Sequence, residues 1–429
     1  MTRQNNSLIC RSLISVLAMV FVAVSSGLLH AARTCNPRDF GAKADGTTKD
    51  TAAIQQAIDA CEAKGGGTVL LTAGTYLSAP IVLKSHITLK LDKGATLLGS
   101  PDHGDYPTKT EFRAPGLQSL VSATNAEDVS ITGEGVIDGQ GKSWWEMQRT
   151  TRDFGVMGNP HSRPRLVVFD HCKHVRIEGV TIQNSPFWQV VPYYCDDVVI
   201  SNVKVLAPYP SPNTDAVDPF SSTNVRIDHL YADTGDDDIA IKSGAANTTD
   251  NGPSSDIIIT DCTFKHGHGL SVGSEVAGGV HNIHAERIHF EGTDNGIRIK
   301  ANRDRGNDVG NMVFRDIDLK DVANPLVISE YYPRILPTGP QTAQPVTALT
   351  PHFHDIVFEN VTATGATLAG AIVGVPEAPV EGVVLRNVKL SGKIGLTIGW
   401  ANVTGKNVEV TAAQGEGIVK LDGANVTLQ

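Results

Sequence analysis

HVRI at residues 174–177 recurs as DVVI at 197–200 and as NVRI at 224–227. Each copy opens with a polar turn residue and continues with apolar residues at alternate positions, which is the pattern of a half-buried β-strand. The phrase returns in six further places: Asp128–Ile131, Asp256–Ile259, Asn282–Ile283, Asn311–Phe314, Asp355–Phe358 and Gly382–Leu385. Most steps between copies are about 20 to 32 residues, and two are about 45, which indicates either a missed coil or an inserted loop.

This repeat predicts an all-β chain that folds as a single-stranded parallel β-helix, or solenoid. In such a fold each coil contributes short strands, apolar side chains stack inward, and Asn or Asp occupies the turns. An antiparallel β-sandwich is the alternative, but it would show turn signals about every 8–12 residues and no recurring phrase. The recurrence therefore favours the solenoid.

One helix is predicted ahead of the repeats. Residues 50–61 (DTAAIQQAIDAC) have apolar residues at helical spacing after an Asp-Thr start, and three glycines at 65–67 end the segment. We expect this helix to cap the N-terminal end of the core. Residues 333–351, rich in Pro, Thr and Gln, predict a long loop. Because no Pro/Ser linker or charge run marks a boundary, residues 33–429 are predicted to form a single β-helix domain.

Residues 1–32 have the composition of a secretory signal peptide. Arg3 and Arg11 supply the positive start, residues 13–24 the apolar core, and residues 29–32 (LHAA) a cleavage region. The apolar run is too short for a membrane span, and no second run follows it. We therefore expect a mature chain without a membrane anchor that is secreted or periplasmic.

The chain is acidic. Its formal charge is 36 − 46 = −10, and removing the two arginines of residues 1–32 makes it 34 − 46 = −12. An acidic protein is a poor general binder of polyanions, which argues against a nucleic-acid partner. An anionic substrate would need a local basic patch, to which Lys242, Lys265, Arg303 and Arg305 are candidates; ordinary surface charge is the alternative for each. Nothing in the sequence calls for a partner chain, so a monomer is expected.

Five cysteines follow the predicted signal: Cys35, Cys61, Cys172, Cys195 and Cys262. Export permits disulfides, but an odd number cannot all pair within one chain. We predict a bridge between Cys35 and Cys61, which would fasten the N-terminal segment to the helix. Cys172 and Cys195 lie about one coil apart and would stack. No CxxC spacing indicates zinc, and no cofactor is predicted.

Four polar segments recur at a similar spacing: Asn213–Asp215, Gly235–Asp237, Gly267–Gly269 and Arg298–Lys300. Each follows the apolar phrase of its own coil, so stacked coils would place all four on one face. Taken singly, each has an ordinary structural explanation, such as an Asx turn or a solvated strand face. Their coincidence favours a functional site.

The residue types in these segments suit acid–base chemistry on an acidic sugar. Adjacent carboxylates at Asp236 and Asp237 disfavour double ionisation, so we expect one raised pKa, with a protonated acid beside an ionised base. Glycoside hydrolysis needs that division, because one carboxyl protonates the leaving oxygen while another orients water. Arg298 and Lys300 would bind a uronic carboxylate, the first by a two-pronged contact and the second as a point charge.

Four motifs carry a resemblance to a known family: SPNTDAVD (211–218), GDDDIAIKSG (235–244), GHGLSVGSE (267–275) and NGIRIK (295–300). In this order they resemble glycoside hydrolase family 28, the polygalacturonases and related pectinases. Residues 40–61 also resemble the family's entry into its solenoid. The resemblance implies a right-handed β-helix and a secreted enzyme that hydrolyses α-1,4-galacturonosyl bonds of pectin or polygalacturonate with inversion, without metal or cofactor.

The resemblance also implies roles for individual residues. Asp236 would be the general acid, and Asp215 and Asp237 would activate the attacking water. His268 would lie beside the acid. The implied substrate-binding residues are Asn213, Arg298, Lys300 and Tyr332, the last in competition with its neighbour Tyr331.

Three alternatives remain open at this point. The first is another specificity within the same family, such as an exo-acting polygalacturonosidase or a hydrolase of rhamnogalacturonan or xylogalacturonan. The second is a calcium-dependent pectate lyase, to which the run Asp236–Asp238 bears a superficial likeness. The third is a non-catalytic β-solenoid adhesin, which predicts no clustering of acids and cations.

Overall fold

Parallel strands stack in three ladders. The first ladder contains, in chain order, Thr34–Cys35, Gly67–Leu71, Ile87–Leu91, Ser130–Gly133, Lys173–Glu178, Asp196–Ser201, Thr223–Asp228, Ser254–Thr260, Val280–Glu291, Asp308–Lys320, His352–Val373, Val380–Gly399, Ala401–Ala412 and Ala424–Leu428. Neighbours in this ladder are parallel, and the recurring sequence phrase lies on them. The all-β parallel architecture that the phrase predicted is therefore confirmed, and the antiparallel sandwich is wrong.

The second and third ladders complete each coil. The second contains Asp45–Lys49, Gly74–Ser78, Ala95–Gly99, Val136–Asp138, Thr181–Gln183, Lys204–Leu206, Tyr231–Asp233 and Thr263–Lys265, and continues in the later parts of the long strands from Val280–Glu291 onward. The third contains Ile81–Val82, Val121–Thr124, Val167–Asp170, Val190–Tyr193, Ile239–Ile241, Leu270–Gly273, Asn295–Lys300, Asn324–Ser329, the ends of His352–Val373 and Val380–Gly399, and Ile418–Lys420. A separate antiparallel hairpin joins Thr108–Glu111 to Ala114–Leu117.

These elements come from a computed structural model that describes residues 33–111, 114–153, 159–244 and 251–429. The described residues belong to one unit from Arg33 to Gln429. The predicted signal peptide, residues 1–32, lies outside the described residues. Among the described helices, none has the length and apolar character needed to span a membrane.

The core is a stack of apolar side chains at equivalent positions of successive coils. Ile177, Ile200 and Ile227 are direct neighbours in register on the first ladder, and each is at most 1% exposed. Burying such side chains stabilises the fold by about 1.5–3 kcal/mol for each residue. Apolar residues occupy alternate positions of the phrase because every second side chain of a strand points into this core.

The polar residue that opens each phrase has a left-handed backbone conformation. Across the nine copies, from Asp128 to Gly382, its φ angle lies between 51° and 62°. Gly adopts this region freely, and Asn, Asp and His occupy it more often than other residues do. The turn conformation therefore explains why the phrase begins with these residue types.

The two long steps in the repeat are insertions rather than missed coils. Ser130–Gly133 pairs directly with Lys173–Glu178, and Asp308–Lys320 pairs directly with His352–Val373. The first insertion carries a helix, Lys142–Asp153, that the sequence analysis did not predict because it contains few apolar residues. The second contains residues 330–351, which form no helix or strand, so the predicted loop is confirmed.

The N-terminal helix runs from Thr51 to Glu62 and buries Ala53, Ile54, Ala57, Ile58 and Cys61. Its last buried residue forms a disulfide with Cys35 of the first strand, as predicted. Cys172, Cys195 and Cys262 are free and buried. The thiols of Cys172 and Cys195 interact across adjacent coils, which agrees with the predicted stacking.

Candidate active site

The third ladder brings the four polar segments together. The strand after the Gly-Asp-Asp segment, Ile239–Ile241, pairs with Leu270–Gly273, which follows the Gly-His-Gly segment. That strand in turn pairs with Asn295–Lys300, which contains the Arg-Ile-Lys segment. Val217, two residues after Asp215, bridges to the first of these strands. Segments far apart in the sequence thus lie on one wall because their strands are adjacent rungs.

His268 lies between two carboxylates. Its Nδ1 is 3.0 Å from Oδ1 of Asp236, and its Nε2 is 3.3 Å from Oδ2 of Asp294. Burial disfavours a charged imidazole, but the hydrogen bonds to both carboxylates outweigh it and raise the pKa of His268 to about 9. Although burial opposes its ionisation, the bond and the charge of His268 hold the pKa of Asp236 below its ordinary value. The pair is therefore an ion pair, with both ring nitrogens as donors.

Asp237 is held by two cations. Nη2 of Arg298 lies 2.7 Å from its Oδ1, and Nζ of Lys300 lies 2.7 Å from its Oδ2. The hydroxyl of Ser271 donates to the same Oδ1 at 2.8 Å. Burial opposes the charge on Asp237, but Lys300 and Arg298 outweigh it, and the pKa of this carboxyl lies far below its usual range. Asp237 is thus a fixed anion, with Lys300 buried and Arg298 nearly so.

Asp215 and Asp218 form a second, differently charged group. Both are buried, and Oδ1 of Asp215 and both oxygens of Asp218 have no hydrogen-bond partner among the described residues. Burial, reinforced by Asp218, raises the pKa of Asp215 well above its ordinary value. Burial also raises the pKa of Asp218 to about 8, although Lys242 opposes this. A carboxyl with a raised pKa is the stronger base once it is ionised.

Lys242 lies between Asp215 and Glu275. Its Nζ is 3.9 Å from Oδ2 of Asp215 and 3.5 Å from Oε2 of Glu275, and it lies over the ring of Trp188. The side chain is only 6% exposed, so its charge acts on the site with little screening by solvent. The sequence offered Lys242 as an extension of the cationic patch, and the structure places it there.

Asn213 is positioned by a buried arginine. Its Oδ1 accepts a hydrogen bond of 2.7 Å from Arg163, which also donates to the backbone oxygen of Pro212 at 2.7 Å. Its Nδ2 lies 3.4 Å from Oδ2 of Asp236. The amide therefore faces the carboxylate of Asp236.

Tyr332, and not Tyr331, faces the cations. The centroid of the Tyr332 ring lies 5.5 Å from Nζ of Lys300 and 5.8 Å from the guanidinium of Arg305. The hydroxyl of Tyr331 instead donates to the backbone oxygen of Gly374. The structure thus places at the site the tyrosine that the sequence analysis had preferred.

The remaining basic candidates divide into two groups. Arg305 lies near Tyr332 and is 3.8 Å from Glu275, so it borders the site. Lys265 pairs with Glu291, and Arg303 pairs with Glu377. These two cations therefore form ordinary ion pairs and do not extend the basic patch of the site.

Four residues of the site were not predicted from the sequence: Asp294, Ser271, Asp218 and Arg163. Asp294 directly precedes the NGIRIK motif, and Asp218 closes SPNTDAVD, so both were visible as acids in or beside quoted motifs. Their contacts were not visible, because these depend on the register between coils. Arg163 lies in the first long insertion, where no repeat assigns it a coil.

One charge expectation differs from the structure. Asp236 and Asp237 were expected to include one carboxyl with a raised pKa, yet the pKa of each is lowered. His268 compensates the first charge, while Lys300 and Arg298 compensate the second. Raised pKa values belong instead to Asp215 and Asp218 on the neighbouring rung. Among the described residues, Asp215 has no cation as close as those of Asp236 and Asp237.

Ligand atoms of Asp236, Asp237 and His268 lie within 4.8 Å of one another, a spacing that a metal ion accepts. The electrostatics do not suit a metal ion, because both oxygens of Asp237 contact cationic side chains and His268 is itself protonated. A divalent cation would meet three positive groups there. The same groups favour an anionic substrate.

The comparison with protein families decides the assignment. Residues 61–414 match the family described as glycosyl hydrolases family 28. The chain belongs to this family. It is therefore a glycoside hydrolase, and membership in a hydrolase family removes the lyase and adhesin alternatives.

Relatives of this family-28 chain include polygalacturonases of plants and bacteria. It is 30% identical to a probable polygalacturonase of Vitis vinifera, over 90% of this chain and 83% of that protein. It is also 30% identical to an endo-polygalacturonase of Pectobacterium carotovorum subsp. carotovorum, over 81% of this chain and 86% of that protein. Among solved structures, the exopolygalacturonase of Thermotoga maritima matches with a TM-score of 0.72 and 27% identity, over 92% and 91% of the two chains.

Proposed function

We propose that this family-28 enzyme is a polygalacturonase that hydrolyses α-1,4-galacturonosyl bonds of pectin or polygalacturonate with inversion. The observation that carries the proposal is the pairing of an acid with two largely buried cations from another rung of the same ladder: Arg298 and Lys300 converge on the carboxylate of Asp237. A uronic carboxylate entering the site would share these two cations. A neutral sugar would leave them without an anionic ligand other than Asp237, so the site favours galacturonate over neutral hexoses.

In the proposed mechanism the proton travels from His268 through Asp236 to the leaving oxygen. The 3.0 Å contact between the imidazole and Oδ1 of Asp236 is the path for this transfer. Asp294, on the other ring nitrogen, stabilises the charged imidazole before the transfer. The ionised state of Asp236 in the free enzyme is compatible with a role as acid because its proton source is directly bonded to it.

Water attacks the anomeric carbon from the opposite side of the ring as the glycosidic C–O bond breaks. Asp215 and Asp237 activate this water: the unbonded Oδ1 of Asp215 receives its proton, and the anion of Asp237 orients it. Because its pKa is raised, the carboxyl of Asp215 must first release its own proton, and the carboxylate that results is a strong acceptor. Asn213 contacts the sugar beside the acid, and Tyr332 covers the cations on the side of the bound uronate.

The test is hydrolysis of de-esterified polygalacturonate by the wild type and by Asp236→Asn. We expect wild-type release of reducing ends and a loss of about 10²–10⁴-fold in kcat for the variant, because it keeps the shape of the acid but holds no transferable proton. Near wild-type activity of Asp236→Asn would end the proposed mechanism. Wild-type inactivity on polygalacturonate, with activity on rhamnogalacturonan or xylogalacturonan, would overturn the proposed substrate instead.

Both endo- and exo-acting polygalacturonases are among the proteins that this chain resembles. The two modes differ in their first products: random internal cleavage gives a ladder of oligomers, whereas cleavage from one end gives one short product. Chromatography of the earliest products from polygalacturonate distinguishes them.

We also propose that residues 1–32 direct export of the protein and that the solenoid is right-handed. The disulfide between Cys35 and Cys61 supports export, since such bonds persist in oxidising compartments. The helix Thr51–Glu62 packs its apolar face on the first strands, which supports its role as an N-terminal cap.

A further inference from the structure

We call the surface that carries Asp215, Asp236, Asp237 and His268 the catalytic wall. Outside it, two histidines converge on one carboxylate oxygen. On the first ladder, Nδ1 of His352 lies 2.9 Å from Oδ1 of Asp308, and Nε2 of His354 lies 3.1 Å from the same atom. Ligand atoms of all three side chains fall within 4.8 Å of one another. We propose that this group is a binding site for a divalent late-transition ion of the Zn²⁺ class; we refer to these three residues as the outer His–Asp site.

The register of the solenoid builds the outer His–Asp site. Asp308 is the direct partner of His352 in the parallel pairing, and Gly310 is the partner of His354. A Cβ atom at Gly310 would lie 2.6 Å from Nε2 of His354. The absent side chain at this position therefore leaves room for the imidazole of His354 to lean across the rung toward Asp308.

The two separations measured from Oδ1 of Asp308 fit tetrahedral coordination. Bonds of about 2.0–2.1 Å to nitrogen and oxygen place tetrahedral ligand atoms about 3.3 Å apart. The two observed separations from Asp308 Oδ1, 2.9 and 3.1 Å, are within a few tenths of an ångström of that value. Two imidazoles and one carboxylate are a ligand set of zinc and similar ions, whereas Ca²⁺ and Mg²⁺ prefer oxygen alone.

A carboxylate lies on the far side of each imidazole ring. Nδ1 of His354 is 2.8 Å from Oδ2 of Asp355, so this carboxylate would accept the Nδ1 proton when Nε2 binds the ion. Nε2 of His352 is 3.7 Å from Oε2 of Glu381, on the opposite side from Asp308. Such carboxylate–histidine pairs are the usual support of metal-binding histidines.

Another His–Asp group of this chain lacks these features and serves as the control. His86 and His174 also flank one carboxylate, Asp128, but their Nδ1 atoms contact different oxygens, at 3.1 and 3.0 Å. Its ligand atoms do not form a set of three within metal-binding distance among the described residues. Exposed histidine alone therefore does not define the site.

The experiment measures Zn²⁺ binding to the full-length chain, freed of metal by chelation, by titration calorimetry and by thermal denaturation with and without ZnCl₂. We expect one Zn²⁺ bound per chain and a higher Tm with Zn²⁺, because an ion that binds the folded state stabilises it. The double variant His352→Ala/His354→Ala should lose both effects. Asp355→Asn, which keeps all three ligands, should weaken binding about 10-fold or more.

His174→Ala is the matched control, and it should bind Zn²⁺ as the wild type does. Absence of Zn²⁺ binding by the wild type would overturn the proposal. Retention of Zn²⁺ binding by the double variant would also overturn it, because the ion would then bind elsewhere. So would an equal loss of binding in His174→Ala, because surface histidines would then take up the ion non-specifically. All these readouts are independent of catalytic activity, so failure of the outer site leaves the proposed function untouched.

Discussion

The catalytic wall and the outer His–Asp site contain the same residue types at the same kind of spacing. Each joins aspartate and histidine from adjacent coils, and each brings ligand atoms within 4.8 Å. They differ in burial: the side chain of Asp237 is 2% exposed, whereas that of Asp308 is 50% exposed. They differ also in their neighbours, because two cationic side chains contact Asp237, whereas histidines contact Asp308.

This difference shows what a solenoid supplies and what it does not. Stacked coils bring side chains from distant segments together at every rung, on any face. Where the rung is buried, the low dielectric makes each charge depend on its neighbours, and pKa values shift strongly. Where it is exposed, water and salt weaken the same contacts, and the group is free to exchange a proton or to bind an ion from solution.

The largest expected effect is that of Asp237→Asn on the catalytic wall. The variant leaves Arg298 and Lys300 facing each other in a buried site without an anion. We expect the free energy of unfolding to fall by about 3–5 kcal/mol, and activity on polygalacturonate to fall by at least about 10²-fold. Urea denaturation and reducing-end assays measure the two effects. Unchanged stability would show that the cations are solvated in the free enzyme and that the contrast in burial is wrong.

A smaller effect is expected at Tyr332, which touches the cations without pairing with them. Tyr332→Ala removes a ring 5.5 Å from Lys300. We expect KM to rise about 5- to 30-fold, in keeping with loss of a cation–π contact and of a wall for the sugar, with a smaller change in kcat. Tyr331→Ala is the neighbouring control, and its KM should stay near that of the wild type. An equal rise of KM in both variants would show that the substitutions disturb the loop and that Tyr332 makes no specific contact with the substrate.

The pH dependence is expected to change in Asp294→Asn. His268 has a pKa raised from 6.5 to about 9, so its pairing stabilises the site fully below pH 6.5 and is lost as the pH rises through about 9. Removing the partly exposed carboxylate of Asp294 lowers this pKa. We expect the alkaline limb of the kcat/KM profile to move to lower pH by about half a unit. A limb that stays in place would show that Asp294 does not act on His268.

The smallest effect is expected from Asp308→Asn at the outer His–Asp site. In metal-free buffer this change should alter the free energy of unfolding by no more than about 1 kcal/mol, because exposed ion pairs contribute little. Activity should equal that of the wild type. Urea denaturation in the presence of a chelator is the measurement. A loss as large as that of Asp237→Asn would mean that burial does not distinguish the two sites.

Much of the fold was predictable from the sequence because the repeat is local. The phrase from Asp128 to Gly382 specifies strand, turn and inward face within four residues, and each copy restates it. The disulfide between Cys35 and Cys61 followed from a nearby helix in an exported chain. The helix Lys142–Asp153 was not predicted, since it occurs in an insertion outside the repeat and has a weak apolar pattern.

The sequence indicated which residues of the candidate site lie close together, but it did not indicate their charge states. The motifs named Asp215, Asp236 and Asp237, yet the expected raised pKa within the adjacent pair belongs to Asp215 instead. That outcome depends on which side chain lies beside each carboxyl and on how deeply each is buried. Neither quantity is local to a motif.

The sequence by itself determined a parallel solenoid with acids, a histidine and cations on neighbouring coils, because hydrophobic alternation and turn residues act over a few positions. Only the tertiary structure decided that Lys300 and Arg298 hold Asp237, that Asp294 supports His268, and that the outer histidines share one oxygen of Asp308. These contacts join residues that are far apart in the sequence, and the register between coils sets the distance between their side chains. Their energies depend on the exclusion of water, which only the assembled rungs provide.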